Sequence, residues 1–393
     1  MEITEYINQM KEFYDFLLSF LENEDDIDEY DFENLINFFE RQKFKENREE
    51  LKNLLNLISI ISKNHHRHHY FINRIEKILL YFKEDIKQTF SNSEICEFFK
   101  NDKRILLFLF KNEILMPNDF ILNYILETKE RRLYFYDEIK IFINQEQKES
   151  IENELSNLNK DTINNYEEKC QIGENDSYIC ELIRNDSVDE FIIYMNKTNL
   201  SLSETKIKPS IYETNLFLLD KKPTMIEYAV FFGSIQIFQY LRLCNVRLKS
   251  SLWLYSIHGR NPELFHLLEE FHVEPEDDSY EKYLEESIKC HHNEIVKYIQ
   301  NTLLNKTFNR KNDDESYLLL LDDDVSNDPY YIESKFKENI EAYSFHYHNF
   351  EFIPNDLTNN EYSIFYMCEY NYYTLVELLL KTKTIDLHKK IVQ

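Results

Sequence analysis

The chain has 393 residues, 43% hydrophobic and 15% aromatic, enough to bury a sizeable core as two domains or one extended solenoid. Three glycines and seven prolines disfavour a turn-rich all-β fold and point to helices joined by polar loops. A net charge of −27 repels DNA, RNA and anionic lipid, because affinity for phosphate comes mainly from Lys and Arg, which here run no further than pairs. The opening residues, MEITEYINQMKEF, are acidic and polar, unlike a secretory or mitochondrial leader. The most apolar short run, 105–110, falls far below the roughly 18 residues that span a bilayer, so a soluble chain without membrane insertion is expected. Six scattered cysteines without C-x-x-C spacing read as reduced, mostly buried thiols of a cytoplasmic or nuclear protein.

Residues 1–143 read as a helical region. Leu51, Leu54, Leu55, Ile58 and Ile61 keep helical spacing, as do Phe71, Ile75, Ile78, Leu79 and Phe82. Ser91 with Glu94 suits a capping box, and Pro117, Asn118 and Asp119 mark a helix entry. This region is either degenerate repeats or a separate helical cap on a following array. Residues 144–176 turn polar and read as a linker or a solvated helix. From 180 to 195 the pattern suits a partial helical pair.

The clearest unit is 224–241, TMIEYAVFFGSIQIFQYL. Ala229 is small enough for a close helix contact, Gly233 supplies a left-handed stop, and Ile237, Tyr240 and Leu241 form the apolar stripe of a second helix. Such a hairpin cannot bury its apolar face alone and needs neighbours of its own kind. The same spacing recurs at Ser256, Arg260, Leu264, Leu267 and Leu268, and at Ser287, His291, Ile295, Tyr298 and Ile299. A degraded copy runs through Ser344, His348 and Phe352, and a last one through Met367, Asn371, Leu375, Leu378 and Leu379.

On these residues the segment 175–390 resembles the ankyrin repeat, with Thr224, Ile226, Ala229, Gly233 and Ile237 at matching positions. More closely, it resembles the large divergent ankyrin-repeat families of unannotated function found in some single-celled eukaryotes. The turn positions lie 27 and then 31 residues apart, short of the usual period of about 33. The deficit falls where ankyrin units carry a β-hairpin finger, and residues 242–251 hold no Asn-Gly or Asp-Gly turn. The expectation is an all-α, helical-hairpin solenoid over 177–393 with shortened or absent fingers and an acidic insertion at about 300–339, which includes Asp322, Asp323 and Asp324.

Candidate chemistry is sparse. His65, His66, His68 and His69 could pair on one helix face, yet no local carboxylate or thiol completes a metal site, so an exposed polar helix start is preferred. Cys290, His291 and His292 are adjacent in sequence and point apart, so loop polarity explains them better than a metal or a nucleophile. The aspartate run lacks the Gly and Glu of a calcium loop. No phosphate-binding loop, nucleophile elbow or zinc-protease motif is present, and no catalytic residue, cofactor or metal is assigned.

The expected function is a non-enzymatic scaffold or adaptor that binds an unidentified protein partner, with no nucleic acid. The alternative is an enzyme or nucleotide-binding protein with its site in the N-terminal helical region. In ankyrin-like units, residues two and three positions after the small residue face outward. That row holds Phe231 and Phe232, His258 and Gly259, Lys289 and Cys290, and Glu369 and Tyr370. Phe231, Phe232, His258, Lys289, Glu369 and Tyr370 are the candidate partner contacts, against the alternative that the phenylalanines pack on their own chain.

Overall fold

Hydrophobic periodicity near 3.6 shapes the whole fold. The computed structural model describes residues 2–23, 29–66, 70–158, 164–276, 280–304, 329–357 and 362–382. Among them the chain is all-α: there is no strand, and one isolated antiparallel bridge joins Lys206 to Thr224. His68, His69, the Asp322–Asp324 run and most of the expected insertion lie outside the described residues. The far end of that insertion belongs to a helix, Pro329–His346. No helix of the described residues is long and apolar enough to cross a membrane.

The chain forms two compact units, Gln42–Glu276 and a terminal unit of Met1–Arg41 with Asp277–Gln393. This differs from the boundaries read from sequence, 1–143, 144–176 and 177–393. The reason is the first helix, α1 (Ile3–Glu22), which buries Ile7, Tyr14, Leu17 and Leu21. Its apolar face is covered by the late helices of the chain, including Tyr373–Thr382, as well as by its neighbour Glu29–Arg41. The polar stretch 144–176 is largely helical, with Gln145–Ser156 capped by an Asn144–Gln147 box and burying a single residue, Ile151.

Within the central unit, Tyr178–Arg184 and Val188–Thr198, Met225–Phe231 and Ile235–Leu243, and Leu252–Gly259 and Pro262–Glu270 make three helical pairs. The first helices pack on one another, Met225–Phe231 lying between the other two. Each pair turns through one left-handed residue: Asp186, Gly233 and Arg260. In the terminal unit His291, His348 and Asn371 stand at the same point of their turns. A helix closed this way donates the amide beyond the left-handed residue to a carbonyl five residues back. Ser234 donates to Ala229 at 2.9 Å, His292 to Ser287 at 3.1 Å, Asn349 to Ser344 at 2.9 Å and Tyr372 to Met367 at 2.8 Å. Ala229, Ser256, Ser287, Ser344 and Met367 are all fully buried, as are Ile237, Leu264 and Leu375 eight residues beyond three of them. The copy after Ser344 is degraded as its sequence suggests, a 3-10 turn at Phe350–Phe352 replacing the second helix.

Candidate functional site

Of the residues singled out from sequence, Phe231, Phe232 and His258 lie in the central unit and Lys289, Glu369 and Tyr370 in the terminal one. Phe231 is stacked on Phe217 (centroids 6.1 Å apart), and His258 lies 4.0 Å from the same ring. Both are buried, so these positions face inward in the close packing of successive first helices and not outward as the repeat pattern implied. Phe232 is half-buried, between Tyr228 at 4.7 Å and the Arg184 guanidinium at 5.9 Å. In the terminal unit Lys289 is ion-paired with Glu286 at 3.0 Å, Tyr370 is stacked on His346 at 4.7 Å, and Glu369 is exposed.

Two further expectations are corrected. His65 is not part of an exposed helix start: it closes the preceding helix, Arg48–Asn64, and is buried against Phe71 with ring centroids 5.3 Å apart. Cys290, His291 and His292 are not solvated loop residues but are fully buried, because the left-handed turn folds them under the hairpin.

A concavity of about 680 Å³ opens elsewhere in the central unit. It is lined by the buried Leu133, the half-buried Leu155, Tyr136 and Tyr166, and the exposed Asp137, Glu167, Glu168, Asn165 and Gln171. Local chemistry fixes this lining. Arg132 grips Glu154 through two nitrogens, at 3.0 and 2.6 Å, tying Lys129–Tyr134 to Gln145–Ser156. Tyr136 donates to Glu152 at 2.6 Å, and Tyr166 donates to the Tyr134 carbonyl at 2.7 Å. Asn165 takes the left-handed conformation at φ 57° and starts the helix Tyr166–Ile172, which presents Glu167 and Glu168.

The charge of the concavity is only partly compensated. Asp137 has Lys140 at 2.8 Å, but Glu167 and Glu168 have no cationic partner among the described residues. Next to them, burial raises the Glu138 carboxyl above its ordinary range, and the negative charges of Asp137 and Glu167 act in the same direction. Exposed carboxylates beside aromatic side chains suit a cation, whose charge is attracted by both.

Lys103 lies in the interior of the same unit, beside Tyr134 and not among the residues that line the concavity. Its ammonium donates to the Ile211 carbonyl at 2.8 Å and lies 4.9 Å from the Tyr134 ring centre. Burial pulls its pKa down to about 8, against the opposing pull of Glu213 and other acidic groups. Tyr134 in turn donates to the Cys170 carbonyl at 2.9 Å, and burial pushes the Cys170 thiol up to about 12, so that thiol is inert. No sequence motif marks these residues. The only local hint is the Glu167–Glu168 pair beside Tyr166 at the end of a polar stretch.

No family model, no curated protein and no solved structure matches the chain.

Proposed function

We propose that the chain is a non-enzymatic protein-interaction module built on ankyrin-like helical hairpins, and that it takes a basic segment of its partner. The observation that carries this reading is the concavity beside Tyr166, with two unpaired glutamates among apolar and aromatic side chains. A Lys or Arg side chain lays its methylenes along Leu133 and Tyr136 and its charge against Glu167 and Glu168. A net charge of −27 steers such a partner toward the chain and repels phosphate, which also argues against a nucleotide in this concavity.

The test is fluorescence anisotropy of the full chain with oligo-lysine and oligo-arginine peptides, an acetyl-lysine peptide serving as the uncharged control. E167Q/E168Q should weaken binding about tenfold. D189N/E190Q, which removes the same charge from an exposed helix face elsewhere, should weaken it by no more than about twofold through the general field. Equal loss in both variants, or no binding of the basic peptides, overturns the reading.

Lys103 favours a second reading, an enzyme that uses a nucleophilic amine, since its amine is held in the interior between the Ile211 carbonyl and the Tyr134 ring and burial favours its neutral form. Reductive trapping with a small aldehyde and cyanoborohydride, mapped by mass spectrometry, decides it. Labelling concentrated at Lys103 supports an enzyme, and labelling spread over the exposed lysines removes the case.

A further inference from the structure

The terminal unit contains a buried polar joint separate from that concavity. His291 and His348 hold the same left-handed turn position in successive copies of the hairpin, at φ 58° and 53°. Both side chains are inside the unit. Tyr14 of α1 reaches them: its hydroxyl is 2.9 Å from His291 Nδ1, and Asn293 Nδ2 donates to that hydroxyl at 3.4 Å. Phe350 lies 5.8 Å from the Tyr14 ring, and Tyr372 lies 5.0 Å from the His348 ring. His291 Nε2 and His348 Nδ1 have no well-aligned hydrogen-bond partner among the described residues.

The surroundings fix which protonation state fits. From α1 the joint meets Tyr14 and Tyr6, with Lys11, Asp15 and Glu22 farther along that helix; from the turn after Glu281–Lys289 it meets His292 and Asn293. From the end of Pro329–His346 come His346 and the Tyr347 carbonyl; from the Phe350–Phe352 turn come Asn349 and Glu351, the latter ion-paired with Lys297. No carboxylate among the described residues acts on either ring, and each histidine faces another. A proton on either ring would therefore be a buried charge without a counter-ion.

We propose that this joint is operated by protons: protonation of His291 and His348 releases α1 from the turns of the late hairpins within the terminal unit. Closed, the joint admits only neutral rings. Open to water, each ring titrates near 6.5. Burial accordingly lowers His291 to about 3 and His348 to about 4, with neighbouring histidines acting in the same direction and, at His291, the Tyr347 carbonyl in the opposite one. The sign follows from these depressed values. The closed form is fully favoured above about 6.5, and that preference is lost as pH falls toward the closed-form values. Each pH unit in that window shifts the balance toward release about tenfold per histidine, or about a hundredfold for the pair.

The experiment is hydrogen exchange of the full chain between pH 7.5 and 4.5, read by mass spectrometry and corrected for intrinsic exchange. Opening of peptides from α1 should rise about a hundredfold per pH unit below 6.5, while peptides of the 42–276 unit show no such slope. H291N and H348N remove one titrating ring each and keep a residue that tolerates the left-handed turn. Each single variant should reduce the slope to about tenfold per unit, and the double variant should abolish it. A flat wild-type profile overturns the proposal, as does a slope shared equally by the central unit or one that stays at about a hundredfold per unit in the single variants. Should the double variant fail to fold, the single-variant slopes decide.

Discussion

Asp186, in the turn of one hairpin, caps the second helix of the next, its carboxylate accepting the amides of Gln236 and Ile237 at 2.9 Å each. The acid sits at the positive end of Ile235–Leu243, where a helix favours negative charge. Ser234 adds a hydrogen bond back to the Ile183 carbonyl. Asp186→Ala should cost about 1–2 kcal/mol, and Asp186→Asn less, because Asn keeps one acceptor and suits φ 49°. Urea unfolding of the two variants checks the order; equal losses would show that the cap contributes nothing.

Two glycines make opposite demands. A Cβ on Gly259 would lie 2.6 Å from the Val230 carbonyl oxygen, so the two first helices would have to part. Gly259→Ala should cost about 1–3 kcal/mol. At Gly233 the difficulty is the backbone, φ +70°, together with Asn261 Nδ2 3.1 Å from the would-be Cβ. Gly233→Asn should therefore be tolerated far better than Gly233→Val, whereas no side chain should be tolerated at Gly259. Ala229→Leu, which overfills the neighbouring contact, should also cost about 1–3 kcal/mol. Denaturant midpoints of the four variants test the ranking.

The hairpins were legible because their signal is local. The spacing of Ala229, Gly233, Ile237 and Leu241 fits within four turns of helix and needs no partner to be read. Gly259 was not legible as a close contact, since a glycine at a helix end resembles any other stop. The docking of α1 was also hidden, because Tyr14 and His291 are 277 residues apart and periodicity says which face is apolar, not what covers it. The concavity was missed for the same reason, being assembled from four helices with no shared motif.

Tyr14→Phe removes the hydroxyl that meets His291 Nδ1 and accepts from Asn293 Nδ2, so both nitrogens lose that contact. A loss of about 1–3 kcal/mol is expected, confined to the terminal unit. Hydrogen exchange should show it in α1 and in the 281–298 hairpin. An unchanged profile there would mean that the hydrogen bond has no net worth.

Phe232→Ala should lower stability by about 1 kcal/mol, since the ring is held by Tyr228, Phe231 and Arg184. Binding of the basic peptides should not change. A variant of normal thermal stability with weakened binding would instead make Phe232 a partner contact.

Lys103→Met gives a pH-dependent difference. In the folded chain Lys103 titrates near 8, against 10.5 for the free side chain, so the unfolded chain binds more protons between those values. The penalty of burying the ammonium is therefore present below about 8 and fades as pH rises to 10.5. The variant should gain on the wild type at pH 7, and the gap should narrow at alkaline pH. A gap constant from pH 7 to 10 would place the titration elsewhere.

The cysteines allow one more use of this structure. Cys96, Cys170, Cys180 and Cys290 are buried, and burial raises all four thiols. Cys244 and Cys368 are exposed, the first in the central unit and the second in the terminal one. A maleimide dye at neutral pH will therefore find one position on each unit of the unmodified chain. Donor and acceptor attached there would report the separation of the two units by energy transfer, and with it any rearrangement that acid or a basic peptide brings about.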